Sequence, residues 1–247
     1  MSVWYEDDDF WETWEPYMFP PARLQNTPGE VDALVGHLEL PPAACVLDFC
    51  CGIGRHSIEF ARRGFAVTAV DRTRRYLERA RNQADADGLK IEFIESDARA
   101  FHASNRFDAA INMFTSFGYF EDPAQDFKVE QILHASLKPA GRLIIDVNGK
   151  EILARKFQER VWSQHDDGSL GLEERKIHSG WDWIDSRWIL VRGGQVREWT
   201  VSTRLYSGAE MSDLLRRAGF GKVLLLGNLA GVPYDHNAER LIAVATK

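Results

Sequence analysis

Several features are scarce in these 247 residues. No apolar run approaches the roughly 18 to 20 residues that a membrane span needs. The acidic opening MSVWYEDDDFWE has neither the basic nor the apolar region of a secretory signal, so a cytoplasmic protein is expected. Cationic excess is also missing: 30 Lys and Arg stand against 37 Asp and Glu, for a formal charge of −7. That balance disfavours nucleic acid phosphates and anionic membranes as partners. The three cysteines, Cys45, Cys50 and Cys51, crowd one predicted strand and its end. They form no CxxC pair and have no histidine set at zinc spacing, so they read as small buried residues and no metal is expected.

Catalytic and nucleotide signatures are absent too. There is no G-x-S-x-G elbow for a nucleophilic serine, no H-E-x-x-H metal helix and no G-x-x-x-x-G-K-[ST] phosphate cradle.

What is present is alternation. The segments CVLDFC, FAVTAVD, IEFIESD, FDAAINMF and GRLIIDVN read as buried strands, separated by amphipathic stretches such as RTRRYLERARNQADADG and QDFKVEQILHASLKPAG. Such βαβ repetition predicts an α/β, doubly wound, mostly parallel sheet that binds ligands beyond the carboxyl ends of its strands. Residues 162–205 differ, with Trp-, Ile- and Val-rich stretches broken by DDGS, HSG and RGG, and predict an antiparallel meander. Ser207 and Glu210 then stand at capping-box spacing before a helix that ends in glycine, followed by the strands KVLLLG and ERLIAVATK. Residues 1–40, rich in aromatics and proline, read as helical or irregular cover rather than a separate domain, ahead of a domain over 41–247.

The stretch VLDFCCGIGRHSIEFARRGFAVTAVD, Val46 to Asp71, carries the chemistry. Gly52 and Gly54 let the chain turn tightly and approach a ligand, and the helix starting near Arg55 offers free amides. Asp71 ends the next strand, where a carboxylate can accept from two ribose hydroxyls. The glycines are followed by Arg55, His56 and Ser57, so the third small residue of a dinucleotide fingerprint is displaced or absent and NAD is disfavoured.

This stretch, with ESDARAF and NMFTSFGYF following at suitable distances, resembles the class I S-adenosylmethionine-dependent methyltransferases, closely over residues 40–150 and more loosely elsewhere. The resemblance implies a Rossmann-like seven-stranded sheet with its last strand antiparallel, an antiparallel insertion after the fifth strand, and S-adenosylmethionine as cofactor. On the matching positions, Asp48 would organise the glycine loop, and Gly52 and Gly54 would border the methionine half, where Cys50 replaces a common Gly or Ala. Asp71 would bind the ribose, Asp97 and Ala98 would flank the adenine with Arg72 over its face, and Asn112 and Met113 would meet the amino acid half.

Methyl transfer from a sulfonium needs alignment, exclusion of water and, for some acceptors, removal of a proton. His56, Tyr119, Arg204 and Tyr206 are the catalytic candidates, with Trp181 and Trp183 as further pocket walls and Tyr5, Trp11 and Tyr17 in a lid. Arg204 either holds an acidic substrate group or pairs with a neighbouring carboxylate. Plainer roles stand beside these: Asp48 capping a turn, Asp71 and Asp97 capping helices, the tryptophans packing the meander. The Asn112 strand end lacks the [DN]PP[YFW] signature of many nucleobase and glutamine methylases. The expected acceptor is therefore an N or O atom of a small metabolite. Competing readings are a noncatalytic cofactor-binding regulatory subunit and an NAD-dependent oxidoreductase; no oligomeric state is specified.

Overall fold

A computed structural model of the chain describes residues 3–247. Its centre is a seven-stranded sheet of β1 (Cys45–Phe49), β2 (Ala66–Asp71), β3 (Ile91–Glu95), β4 (Phe107–Asn112), β5 (Leu137–Val147), β10 (Lys222–Leu226) and β11 (Leu241–Thr246), ordered β10-β11-β5-β4-β1-β2-β3. All pairs are parallel except those of β11, which runs antiparallel to both β5 and β10. The chain goes outward from β1 to β3 on one side and from β4 to β5 on the other. The crevice at the β1/β4 reversal is the ligand position of such sheets.

Both faces are covered, as the near-continuous apolar strands require. Val46, Ala109, Ile111 and Ile144 point to one side, where α2 (Pro21–Leu38) lays Val31, Leu34 and Leu38 over them. Leu47, Phe49, Leu143 and Ile145 point to the other, against α5 (Pro123–Ser136) and α7 (Gly208–Ala218). Helix α7 begins with the complete Ser207/Glu210 capping box, and its C-cap is left-handed Gly219. The flanking helices α3 (Arg55–Arg62) and α4 (Arg74–Ala86) follow β1 and β2.

The short helix α6 (Lys150–Lys156) follows β5 and leads into a second, four-stranded antiparallel sheet of β6 (Arg160–Gln164), β7 (Leu170–Ile177), β8 (Trp183–Arg192) and β9 (Gln195–Arg204). Arg192 pairs with Gln195 across Gly193 and Gly194, both at positive φ, so the hairpin closes in two residues.

The first forty residues divide between two structures. Helix α1 (Asp8–Met18), capped by Asp7, lies against the antiparallel sheet, with Phe10 and Trp14 packed on Leu190, Val201, Trp188 and Trp199. Helix α2 instead belongs to the main core, so the cover expected over residues 1–40 is confined to the segment before Pro20.

Candidate active site

A cavity of about 300 Å³ opens over the carboxyl ends of the parallel strands, at the β1/β4 crevice. The loop from β1 to α3 forms its floor. Cys50, Gly52 and Gly54 all have positive φ (60°, 56° and 72°). A non-glycine side chain in that region is strained, which accounts physically for small residues at the Cys50 position. Burial, with Asp71 and Asp48 nearby, pushes the Cys50 thiol well up and keeps it protonated.

Two carboxylates shape this loop. Asp48 is buried and accepts from Ser57 Oγ at 2.5 Å; burial raises its pKa against the opposing His56 and Ser57. Asp71 accepts from the Gly52 amide (2.8 Å) through Oδ2 and from the Thr73 amide (2.8 Å) through Oδ1. It therefore supports the loop and the turn ahead of α4, whose N-cap is Thr73 and not Asp71, while still lining the cavity. Burial lifts its pKa and the two amides oppose that rise.

Gly54 faces elsewhere: a Cβ there would lie 2.7 Å from the Ala80 Cβ of α4, so this glycine serves helix packing and is not a cavity wall. Asn112 is likewise turned inward. Fully buried, it donates from Nδ2 to the carbonyls of Phe49 (3.1 Å) and Ser116 (3.2 Å), tying the end of β1 to the loop after β4, while Met113 lines the cavity.

Asp97 and Ala98 lie at the opposite end of the cavity. Asp97 caps the following turn through the Arg99 amide (2.7 Å) and is also clasped by the Arg99 guanidinium (2.9 and 2.6 Å), whose bonds hold its pKa down. Arg72 lines the cavity and also ties down a neighbouring segment. Its guanidinium donates to the carbonyls of Tyr5 (2.8 Å) and Glu6 (3.1 Å), fastening the start of the chain across the cavity. Tyr5 stacks on Tyr119 (centroids 6.1 Å, 23°), Trp11 Nε1 donates to the Tyr5 carbonyl, and Tyr76 Oη donates to that of Trp11 (2.8 Å). Tyr17 reaches past the cavity to donate to Asp167 (2.9 Å).

A second chamber of about 320 Å³ adjoins the first, between α1, the loop after β4 and the inner face of the antiparallel sheet. Trp11, Met18, Phe114, Tyr119 and Trp188 line both. Phe114 and Thr115 have left-handed backbones (φ 57° and 63°), fixed by Asp146, which receives the amide of Phe114 on Oδ2 (3.1 Å) and that of Thr115 on its carbonyl (2.8 Å). Arg240 completes the fixture, donating to Asp146 Oδ1 (2.6 Å) and Thr115 Oγ1 (2.8 Å).

His56 is buried on the wall of the first chamber with Nε2 2.9 Å from Glu30 Oε2, its ring facing Phe114 (6.0 Å, 24°). Burial alone would raise the Glu30 pKa, but His56 and the ion-paired Arg55 outweigh it and hold it down. Of the alternatives for Arg204, the ion pair is realised: Nε lies 3.3 Å from Asp126, Nη2 donates to the Glu121 carbonyl (2.7 Å), and the guanidinium sits 5.2 Å from the Trp183 ring centroid. Tyr206, past the end of β9, donates to the same Asp126 (2.7 Å). Both touch the second chamber with their polar ends already engaged.

Trp181 and Trp183 line neither chamber; Trp181 packs on Phe157 at the surface. The inner residues of β8 are Ile184, Ser186 and Trp188, so the wall tryptophan is one strand parity away from Trp183. Sequence reasoning also missed Glu30, Arg23, Phe114, Asp126 and Arg240. Of these Phe114 stood in a quoted motif, while Asp126 and Arg240 stood in segments read only as a helix and a strand.

A family model described as a methyltransferase domain matches residues 46–141. Over 225 residues the chain is 32% identical to a ubiquinone biosynthesis O-methyltransferase from Ruegeria pomeroyi, covering 86% of this chain and 78% of that protein. The chain belongs to the class I S-adenosylmethionine-dependent methyltransferases. A glycine/sarcosine N-methyltransferase from Aphanothece halophytica is similar to this methyltransferase at 28% identity over 148 residues, 59% of this chain and 55% of that one. In fold it resembles the CcbJ methyltransferase from Streptomyces caelestis, with a TM-score of 0.80 at 18% identity over 98% and 97% of the two chains.

The methyltransferase's cofactor is S-adenosylmethionine, and the residues of the first chamber fit it. A Cβ on Gly52 would come 3.3 Å from the Phe19 ring and narrow the passage. Asp71 and Asp97 place two carboxylate acceptors at the cavity. Among the described residues no helix is long and apolar enough to cross a membrane.

Proposed function

We propose that this methyltransferase acts on a nitrogen or oxygen of a small-molecule metabolite. The observation that carries the reading is the second chamber, about 320 Å³ in volume, bounded by aromatic side chains and adjoining the cofactor chamber. That volume is of the order of small-ligand pockets, and the acidic chain offers little to a polyanion.

S-adenosylmethionine, when bound, supplies a methyl group already activated by the sulfonium charge. The chain's own residues bind, orient and exclude water. In this reading Asp71 takes the ribose hydroxyls, Asp97 and Ala98 border the adenine, and Cys50, Gly52 and Met113 border the methionine half. Asp48 and Asn112 hold the loops from behind. Tyr119 marks the passage between chambers, with its phenol kept protonated by burial. His56 donates Nε2–H to Glu30, which leaves Nδ1 as a hydrogen-bond acceptor able to take an acceptor's proton. Arg204 and Tyr206 position the chamber wall through Asp126.

Calorimetric titration with S-adenosylmethionine, S-adenosylhomocysteine and NAD, followed by methyl-acceptance assays on small amines and hydroxyl compounds, tests this. Binding of both adenosyl ligands and transfer to a small acceptor is expected. Transfer only to RNA or protein would refute it.

A further inference from the structure

Three guanidiniums converge on one aromatic ring. Arg55, Arg23 and Arg240 lie 4.4, 5.2 and 5.8 Å from the Phe114 centroid, the first two from the cofactor chamber and Arg240 from the second chamber. Phe114 is 36% exposed and lines both cavities. Gathering like charges is costly unless something compensates. Burial and the neighbouring Arg55 depress the Arg23 pKa, in keeping with that cost.

The arginines also have donors to spare. Among the described residues Arg23 has no carboxylate within ion-pair distance, and its one side-chain hydrogen bond is from Nη1 to the Met18 carbonyl. Arg55 Nη2 is buried without a hydrogen-bond partner. Arg240 uses Nε and Nη2 on Asp146 and Thr115 and leaves Nη1 free. In the second chamber Arg175 is matched by Glu173 (2.8 and 2.5 Å), Arg204 by Asp126 (3.3 Å) and Arg240 by Asp146 (2.6 Å), so the donors left over are N–H groups rather than unpaired charges.

We propose that the methyl acceptor carries a carboxylate, held where the chambers meet by Arg23 from the first chamber and Arg240 from the second, with Arg55 beside the same Phe114 ring. The inference rests on the small-molecule reading above and narrows it to an acidic class. The ring face attracts the guanidiniums and lessens their mutual repulsion. Their free N–H groups are left to meet an anion with charge-assisted bonds.

The probes are benzoate and its neutral counterpart benzamide, titrated calorimetrically into the protein saturated with S-adenosylhomocysteine. Benzoate should bind at least tenfold more tightly. Arg23→Met should remove most of that preference without altering benzamide binding, and Arg23→Lys should retain part of it. Equal affinity for the two probes overturns the inference. So does a variant that weakens S-adenosylhomocysteine but not 5′-methylthioadenosine, which lacks the amino acid end, while leaving benzoate binding intact: the arginines would then serve the cofactor's own carboxylate. Transfer to uncharged amines or alcohols without any benzoate preference would keep the small-molecule reading and sink this one.

Discussion

Replacing Gly54 by alanine should damage the protein in a way that can be apportioned. The residue sits at φ 72° as the N-cap of α3, a conformation that costs a side chain roughly 1–2 kcal/mol. The new Cβ would also lie 2.7 Å from the Ala80 Cβ, so α3 and α4 must separate, an overpacking cost of about 1–3 kcal/mol. The total is roughly 2–5 kcal/mol. At about 2–4 °C per kcal/mol for a chain of this size, thermal unfolding should fall by roughly 4–20 °C. Ala80→Gly alone costs about 1 kcal/mol as a glycine within a helix. In the double variant it removes the overlap but not the backbone cost, so the pair should be less destabilised than the sum of the singles by about 1–3 kcal/mol. Because α3 begins with Arg55 and His56, both on the cavity wall, Gly54→Ala should also weaken S-adenosylhomocysteine binding. A melting temperature within 2 °C of wild type, or strict additivity in the double variant, would refute the close approach of α3 and α4.

Further expectations concern the site directly. Asp71→Asn should weaken S-adenosylhomocysteine by about 1–3 kcal/mol through loss of charge-assisted hydrogen bonds; calorimetric affinity within twofold of wild type would remove the ribose assignment. Asp126, raised to about 6 mainly by burial, is protonated in the folded state over a window in which the unfolded carboxyl, near pH 4, is not. Its contribution therefore favours folding at low pH and is lost as pH rises from about 4 to about 6, by up to about 3 kcal/mol. Denaturant titrations of wild type and Asp126→Asn across that range should diverge accordingly, and parallel curves would contradict the burial of that charge. Deleting the residues before Pro20 removes Tyr5, Trp11 and the segment held by Arg72, and should raise the cofactor off-rate at least tenfold in stopped-flow measurements. An unchanged rate would reduce α1 to passive cover.

The parallel sheet was legible because its strands are short apolar runs set apart by helical spacing, and β1 buries four of its five residues in the order the pattern implies. The glycine loop was legible for a similar reason: left-handed backbone selects small residues, and the carboxylates at both ends stand at fixed chain distances. Helix α2 was harder to read because Pro20, Pro21 and Pro28 suggest irregular chain, whereas Pro21 occupies the first helical turn, where its missing N–H costs nothing. The buried Asp126 and Glu130 lie four residues apart on α5, a spacing that in sequence marks a solvated face. Trp183 and Trp188 are indistinguishable by composition, and only strand register decides that the second faces the chambers. Arg23, Arg55 and Arg240 come from widely separated segments and meet only through the fold.

The chain has eight tryptophans, and Trp4, Trp11, Trp14, Trp188 and Trp199 gather where α1 lies on the antiparallel sheet. Trp188 touches both chambers, while the indole of Trp4 is tethered to the Ser202 carbonyl at 2.9 Å and that of Trp199 to Asp7 at 3.1 Å. The protein thus carries its own optical reporter. Ligand entry or release of α1 must change the polarity around indoles already present, so intrinsic emission and near-ultraviolet dichroism can follow the opening of the site in real time without an attached dye.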